Sequence, residues 1–117
     1  MNILIIINDA PYGSEKAYNA LRLANQIGKD QPTVSVRIFL MADAVNCAIS
    51  EQKTPDGYYN IERMLKLAIN KGALVKLCGS CVDARGIRTI PLIGGIEISN
   101  MEQLATWVVE CDKVLIF

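Results

Sequence analysis

The chain opens on an unbroken apolar run, "NILIII" at residues 2–7. A strand with one face in water would alternate, so a continuous β-branched run predicts a strand covered on both faces. "NDAPYGS" at 8–14 is turn chemistry, and Ser14 is placed to cap the helix that follows. In "SEKAYNALRLANQIGK" the residues Ala17, Leu21, Ala24 and Ile27 recur at helical spacing, and Gly28 is expected to close the helix. "VSVRIFLM" at 34–41 reads as a second strand, and "ADAVNCAI" at 42–49 as a short helix with Asp43 near its start. The polar, turn-rich "SEQKTPDGYYN" at 50–60 predicts a mobile loop. "IERMLKLAINKG" at 61–72 gathers Ile61, Met64, Leu65, Ala68 and Ile69 on one helical face, with Gly72 as its stop. "ALVKLC" at 73–78 is the third strand.

The next stretch, "IRTIPLIGGIEIS", is less regular. It predicts a loop through Gly94 and Gly95 and a short strand around Ile96–Ile98. Ser99 or Asn100 then caps a helix over 101–111, and "KVLIF" at 113–117 is a last strand. Strands alternating with helices give a parallel sheet with helices on both faces. The expectation is an α/β, flavodoxin-like three-layer sandwich with a mostly parallel sheet of about five strands, in a single domain over 1–117.

Composition narrows the partners. The chain is 51% hydrophobic and carries no net charge, so neither nucleic acid nor an anionic membrane surface is suggested. No apolar run reaches the ~20 residues of a membrane span. So high an apolar fraction in a small domain points to surface buried by self-association. "MNILIIIND" lacks the basic start and small-residue cleavage site of a signal peptide, and the four cysteines are expected to be reduced. Together these place the expected location in the cytoplasm.

The chemistry centres on "VKLCGSCVDARGI" at 75–87, where a strand ends in Cys78 and a second thiol follows at Cys81. In an open parallel sheet, sites gather beyond the carboxyl ends of the strands, which here carry residues 9–14, 42–47 and 78–85. Cys111 precedes the last strand and belongs to the opposite edge, as structural filler; Cys47 has the same reading on its short helix. A structural zinc site requires four Cys or His ligands, and the chain has no histidine and one CxxC, so no metal or other cofactor is expected. Histidine-dependent hydrolase pairs are excluded on the same ground. No GxGxxG or GxxxxGK[ST] pattern occurs.

A CxxC at a helix start favours thiolate, but Gly86 stops this helix within two turns and Pro91 follows closely, unlike a thioredoxin-type arrangement. What remains is a reactive thiol at Cys78, with Arg85 able to hold an anion beside it and Asp83 orienting Arg85. An exposed Asp83–Arg85 helix ion pair of little energetic weight is the alternative reading of those two residues.

"NDAPYGSEKAYNALRLA", "IFLMADAV", "GYYNIERML", "VKLCGSCVDARGI" and "CDKVLIF", in this order and spacing, resemble the DsrE/DsrF-like sulfur-relay superfamily, most closely its YchN-like branch. The resemblance covers essentially the whole chain. It implies a homo-oligomer, most often a hexamer, working with sulfur-donor and sulfur-acceptor proteins and needing no cofactor. It places the persulfide-carrying cysteine at Cys78, and matches Cys81, Asp83, Arg85 and Gly86 to the motif and Tyr12 and Gly13 to the first loop. The leading expectation is a persulfide carrier that accepts sulfane sulfur on Cys78, with Cys81 able to release it. Two other classes stay open: a non-catalytic small-molecule or anion-binding module, and a thiol–disulfide oxidoreductase using Cys78 and Cys81.

Overall fold

Why the apolar runs lie flat against one another is answered by the sheet they form. The computed structural model describes residues 1–117 as β1 (Asn2–Ile7), α1 (Lys16–Asp30), β2 (Ser35–Leu40), a 3-10 helix (Ala42–Ala48), α2 (Ile61–Asn70), β3 (Leu74–Cys78), α3 (Gly79–Ala84), β4 (Ile96–Ser99), α4 (Met101–Glu110) and β5 (Lys113–Ile116). The five strands lie in the order β4-β3-β2-β1-β5, and each neighbouring pair is parallel. β1 and β2 occupy central places, so Leu4, Ile5, Ile7, Ile38 and Leu40 are fully buried, as a strand covered on both faces requires.

The strand order distributes the helices. Three successive crossovers step toward β4, and the last jumps to the far side of β1; with the usual right hand, α4 must lie on the opposite face from α1 and α2. The side chains agree. Asn25 of α1 donates to the Met64 carbonyl of α2 at 3.1 Å, tying that layer together. On the other face Trp107 of α4 meets Phe39 edge-on, with ring centroids 6.2 Å apart, and the Arg37 guanidinium lies 5.5 Å from the same indole.

Local chemistry explains most boundaries. Asn60 and Asn100 accept the backbone N–H of Arg63 and Gln103 and cap α2 and α4. Gly72, at φ +98°, ends α2 as expected. Two helix-end expectations fail at α1. Its N-cap is Glu15, whereas Ser14 donates its hydroxyl to Asp9 and accepts only the Lys16 N–H, at 3.3 Å. Nor does Gly28 close the helix, which continues to Asp30 and stops where Gln31 precedes Pro32. Gly28 is small for packing reasons: a Cβ there would stand 3.3 Å from the Lys71 side chain.

The carboxyl ends of β1, β2 and β3 share one edge of the sheet, so residues 8–15, the 3-10 helix and α3 cluster there. Cys111 lies at the opposite edge, one residue before Asp112, whose N–H bonds the Asn2 carbonyl.

Candidate functional site

Cys78 is both the last residue of β3 and the N-cap of α3, which starts at Gly79, two residues before Cys81. Its Sγ occupies the position a capping oxygen would take. It accepts the Cys81 N–H at 3.4 Å and lies 3.3 Å from the Ser80 hydroxyl. A one-residue handover from strand to helix demands close packing, and Gly79 supplies it: a Cβ there would stand 2.9 Å from the Ser99 carbonyl oxygen of β4. Gly86, at φ +64°, ends the helix in the left-handed region that glycine enters without strain.

The four cysteines are free thiols with distinct environments. Cys78 is only 6% exposed, and burial alone would raise its pKa. Hydrogen bonds from the Cys81 and Ser80 side chains, and from their backbone N–H groups, outweigh burial and hold the thiol below its ordinary value. Cys81 moves the other way, raised by burial and by donating to the neighbouring Cys78 sulfur. The Ala42 N–H, which bonds the Cys81 Sγ at 3.3 Å, and the Arg85 charge partly oppose that rise. Burial pushes the Cys47 thiol up to about 12, in keeping with its reading as filler. Burial also raises Cys111, which is only partly covered.

The charged residues fall into different pairs from those expected. Arg85 is not oriented by Asp83. Its Nε and Nη2 both donate to Asp43 Oδ1, at 3.0 and 2.8 Å, and its Nη1 donates to the Cys81 carbonyl at 3.1 Å. The anion it holds is therefore a carboxylate of the protein itself. Asp83 instead takes the Arg88 guanidinium, at 2.5 Å from Nε and 3.1 Å from Nη2, which keeps its carboxyl below the usual carboxylate range. The i,i+2 spacing of Asp83 and Arg85 sends the two side chains to different sides of the helix, so each finds a partner elsewhere.

Tyr12 and Gly13 belong to a neighbouring feature built from all four tyrosines. Tyr12 stacks on Tyr59 (5.5 Å), Tyr59 on Tyr18 (4.2 Å) and on Tyr58 (5.2 Å). The Tyr12 hydroxyl accepts the Ile61 N–H, and the Tyr59 hydroxyl donates to the Ser14 carbonyl, so the stack ties the 50–60 segment to the first loop. A cleft of about 400 Å³ opens between Gly13, Ser14 and Glu15 on one side and Gly57, Tyr58 and Tyr59 on the other. No hydrogen bond joins the tyrosines to Cys78 or Cys81; the Cys47 thiol donates to the Asp9 carbonyl, at 4.0 Å, on the same first loop.

The sequence reading missed Ser80, Asp43 and Arg88 as partners in the site. Ser80 was legible in principle, since an N-cap side chain accepts from the next few residues. Asp43 and Arg88 carried no local signal.

The DsrE/DsrF-like family matches residues 1–117. The chain belongs to the DsrE/DsrF-like family. Among curated relatives of this family member, Protein YchN of Escherichia coli (strain K12) is 46% identical over 115 residues, covering 98% of this chain and 97% of that one. Protein MJ0989 of Methanocaldococcus jannaschii is 41% identical over the full length of both chains. The crystal structure of the E. coli ychN protein superposes with a TM-score of 0.95, covering 99% of this chain and 98% of that one. MTH1491 of Methanobacterium thermoautotrophicum, at 12% identity and a TM-score of 0.79 over 99% and 98% of the two chains, shares the fold.

Proposed function

We propose that this chain is the subunit of an oligomeric, cytoplasmic sulfur-relay protein that accepts sulfane sulfur on Cys78. The observation that carries this reading is the contrast between the two thiols: the Cys81 N–H and the Ser80 hydroxyl at 3.4 and 3.3 Å favour thiolate at Cys78, while burial and Cys78 raise Cys81. Family membership supports the same class of chemistry.

In the loading step the Cys78 thiolate attacks the terminal sulfur of a donor persulfide. The donor's S–S bond breaks, its thiolate leaves, and a persulfide forms on Cys78. Release to an acceptor thiol repeats the exchange outward. Alternatively the Cys81 thiolate attacks the Cys78 Sγ and expels hydrosulfide, leaving a Cys78–Cys81 disulfide; the sulfane sulfur gains the two electrons that the thiols lose. An external dithiol then restores the pair. No metal or bound cofactor enters these steps.

Self-association is supported by the thin cover on the α4 face, where one helix spans the sheet. Val109 (85% exposed), Ile116 (70%), Met101 and Val108 stand open there. A closed homo-oligomer, a hexamer by family resemblance, would bury them. Donor and acceptor proteins are proposed partners, meeting the assembly at the carboxyl edge of the sheet.

Intact mass after incubation with a cysteine desulfurase and cysteine tests the proposal. A gain of one sulfur, reversible by reductant and absent from Cys78→Ser, is the expected result. Labelling of Cys78 with no sulfur ever retained overturns the carrier reading. Turnover of small disulfides that requires both cysteines would then favour the oxidoreductase reading, which the 3.4 Å approach of the Cys81 N–H to Cys78 Sγ supports.

A further inference from the structure

The dipeptide Ala42–Asp43 reaches one cysteine by two routes, directly from Ala42 and through Arg85 from Asp43. Ala42 takes a left-handed conformation, φ +49°, which an L-residue with a Cβ adopts only under strain. That turn aims the Ala42 N–H at the Cys81 Sγ, 3.3 Å away. Asp43, the next residue, holds two N–H groups of Arg85, and the same guanidinium reaches the Cys81 carbonyl at 3.1 Å. Cys81 is thus gripped at its sulfur and at its backbone from across 39 residues of sequence, while Cys78 receives nothing from this segment. Strain retained at a residue that contacts a thiol is a reason to look for a role there.

We propose that Asp43 is a positioning residue for Cys81: through Arg85 it fixes the start of α3 so that the Cys81 sulfur is set to attack Cys78 once Cys78 is derivatised. The inference deepens the relay reading by assigning machinery to the second thiol, and it applies equally to any persulfide or mixed disulfide on Cys78. The charged and titratable groups facing Cys81 are Cys78 at the helix start and Arg85 one turn on, with Asp43 of the 3-10 helix paired to Arg85. In the free protein burial and the neighbouring Cys78 sulfur hold the Cys81 thiol above its ordinary value. An adduct makes the Cys78 sulfur uncharged and removes its part of that hold, whereas the Ala42 N–H and Arg85 stay in place to stabilise a Cys81 thiolate. That thiolate attacks Cys78 Sγ, the bond from Sγ to the adduct breaks, the adduct leaves as a thiolate or hydrosulfide, and the proton passes to solvent.

The test uses the full chain with glutathione as the adduct, so it does not depend on sulfur being carried. Cys78 is first converted to its mixed disulfide with oxidised glutathione at low pH. Closure to the Cys78–Cys81 disulfide, with release of one glutathione thiol, is then followed across pH by mass and thiol assay. Asp43→Ala, which frees Arg85, is expected to slow closure roughly three- to five-fold at pH 7, the scale of a partly exposed charge contact. Asp43→Asn, which keeps an acceptor for Arg85, is expected to restore most of the rate, and initial Cys78 labelling by iodoacetamide should stay within about two-fold in both variants. Were Asp43 acting only as a nearby negative charge, Ala and Asn would behave alike and both would speed closure by favouring the Cys81 thiolate. That result, or unchanged closure in Asp43→Ala at an unchanged melting temperature, overturns the assignment. Failure of sulfur loading in wild type, with these glutathione results intact, would count against the relay reading alone.

Discussion

Cys81 donates its backbone N–H to the Sγ of Cys78 at 3.4 Å, and the same cysteine's own sulfur accepts the N–H of Ala42 at 3.3 Å. One residue therefore favours ionisation of its neighbour through its N–H, while burial and that neighbour's sulfur raise its own thiol. The asymmetry comes from capping geometry: Cys78 stands where the first N–H groups of α3 point, and Cys81 stands one turn inside.

Limiting iodoacetamide at pH 7 should label Cys78 before the other three thiols, read by peptide mass. The thiolate is the reactive form, so a depressed pKa moves the midpoint of the labelling rate below the ~8.5 of a free thiol. Labelling should therefore fall away only at more acidic pH. Cys47, raised to about 12, should be the last to react in folded protein. Early labelling of Cys47 would break the site assignment.

Ser80→Ala removes one hydrogen bond to the Cys78 sulfur without altering the helix backbone. Its labelling midpoint should move up in pH, and its rate at pH 7 should drop roughly three- to ten-fold, the equivalent of one net hydrogen bond. An unchanged profile would mean that the backbone N–H groups alone set the acidity.

Cys81→Ser should accept sulfur from a desulfurase as wild type does, but should release hydrosulfide slowly when no acceptor thiol is present. Cys78→Ser should do neither. Time-resolved intact mass distinguishes the two, and loss of loading in Cys81→Ser would remove the division of roles.

Gly79→Ala should destabilise the fold by about 1–3 kcal/mol, because the new Cβ meets the Ser99 carbonyl at 2.9 Å and neither backbone can retreat without disturbing β3 or β4. Thermal melts compared with Ser80→Ala one residue later check this, since the second change should be nearly silent in stability.

Light scattering should give several times the chain mass of 12.9 kDa. Val109→Asp and Ile116→Asp, which place charge on the most exposed apolar positions of the α4 face, should shift that mass toward the monomer. A monomer at micromolar concentration for the unaltered chain would sink the oligomer proposal.

The sequence by itself determined whatever depends on neighbours in the chain. Uninterrupted β-branched runs could only be strands buried on both faces, and their alternation with helices required parallel pairing. Asn60, Gly72, Gly86 and Asn100 fixed helix ends through bonds and dihedrals spanning three or four residues. For the same reason the sequence alone places Cys78 at a strand's carboxyl end and Cys111 at the other edge. Tertiary structure alone decided which distant side chains meet. Asp43 and Arg85 are 42 residues apart, and only the pairing of β2 with β3 brings their following segments side by side. Asp83 turned to Arg88 because a two-residue spacing on a helix points it away from Arg85, and the geometry of the following turn supplied another cation. The stack of four tyrosines likewise joins the first loop, α1 and the 57–61 segment, which no periodicity connects. Local patterns report hydrogen bonds within a turn or a pleat, whereas the choice of a charged partner depends on which chain ends the sheet brings to the same edge.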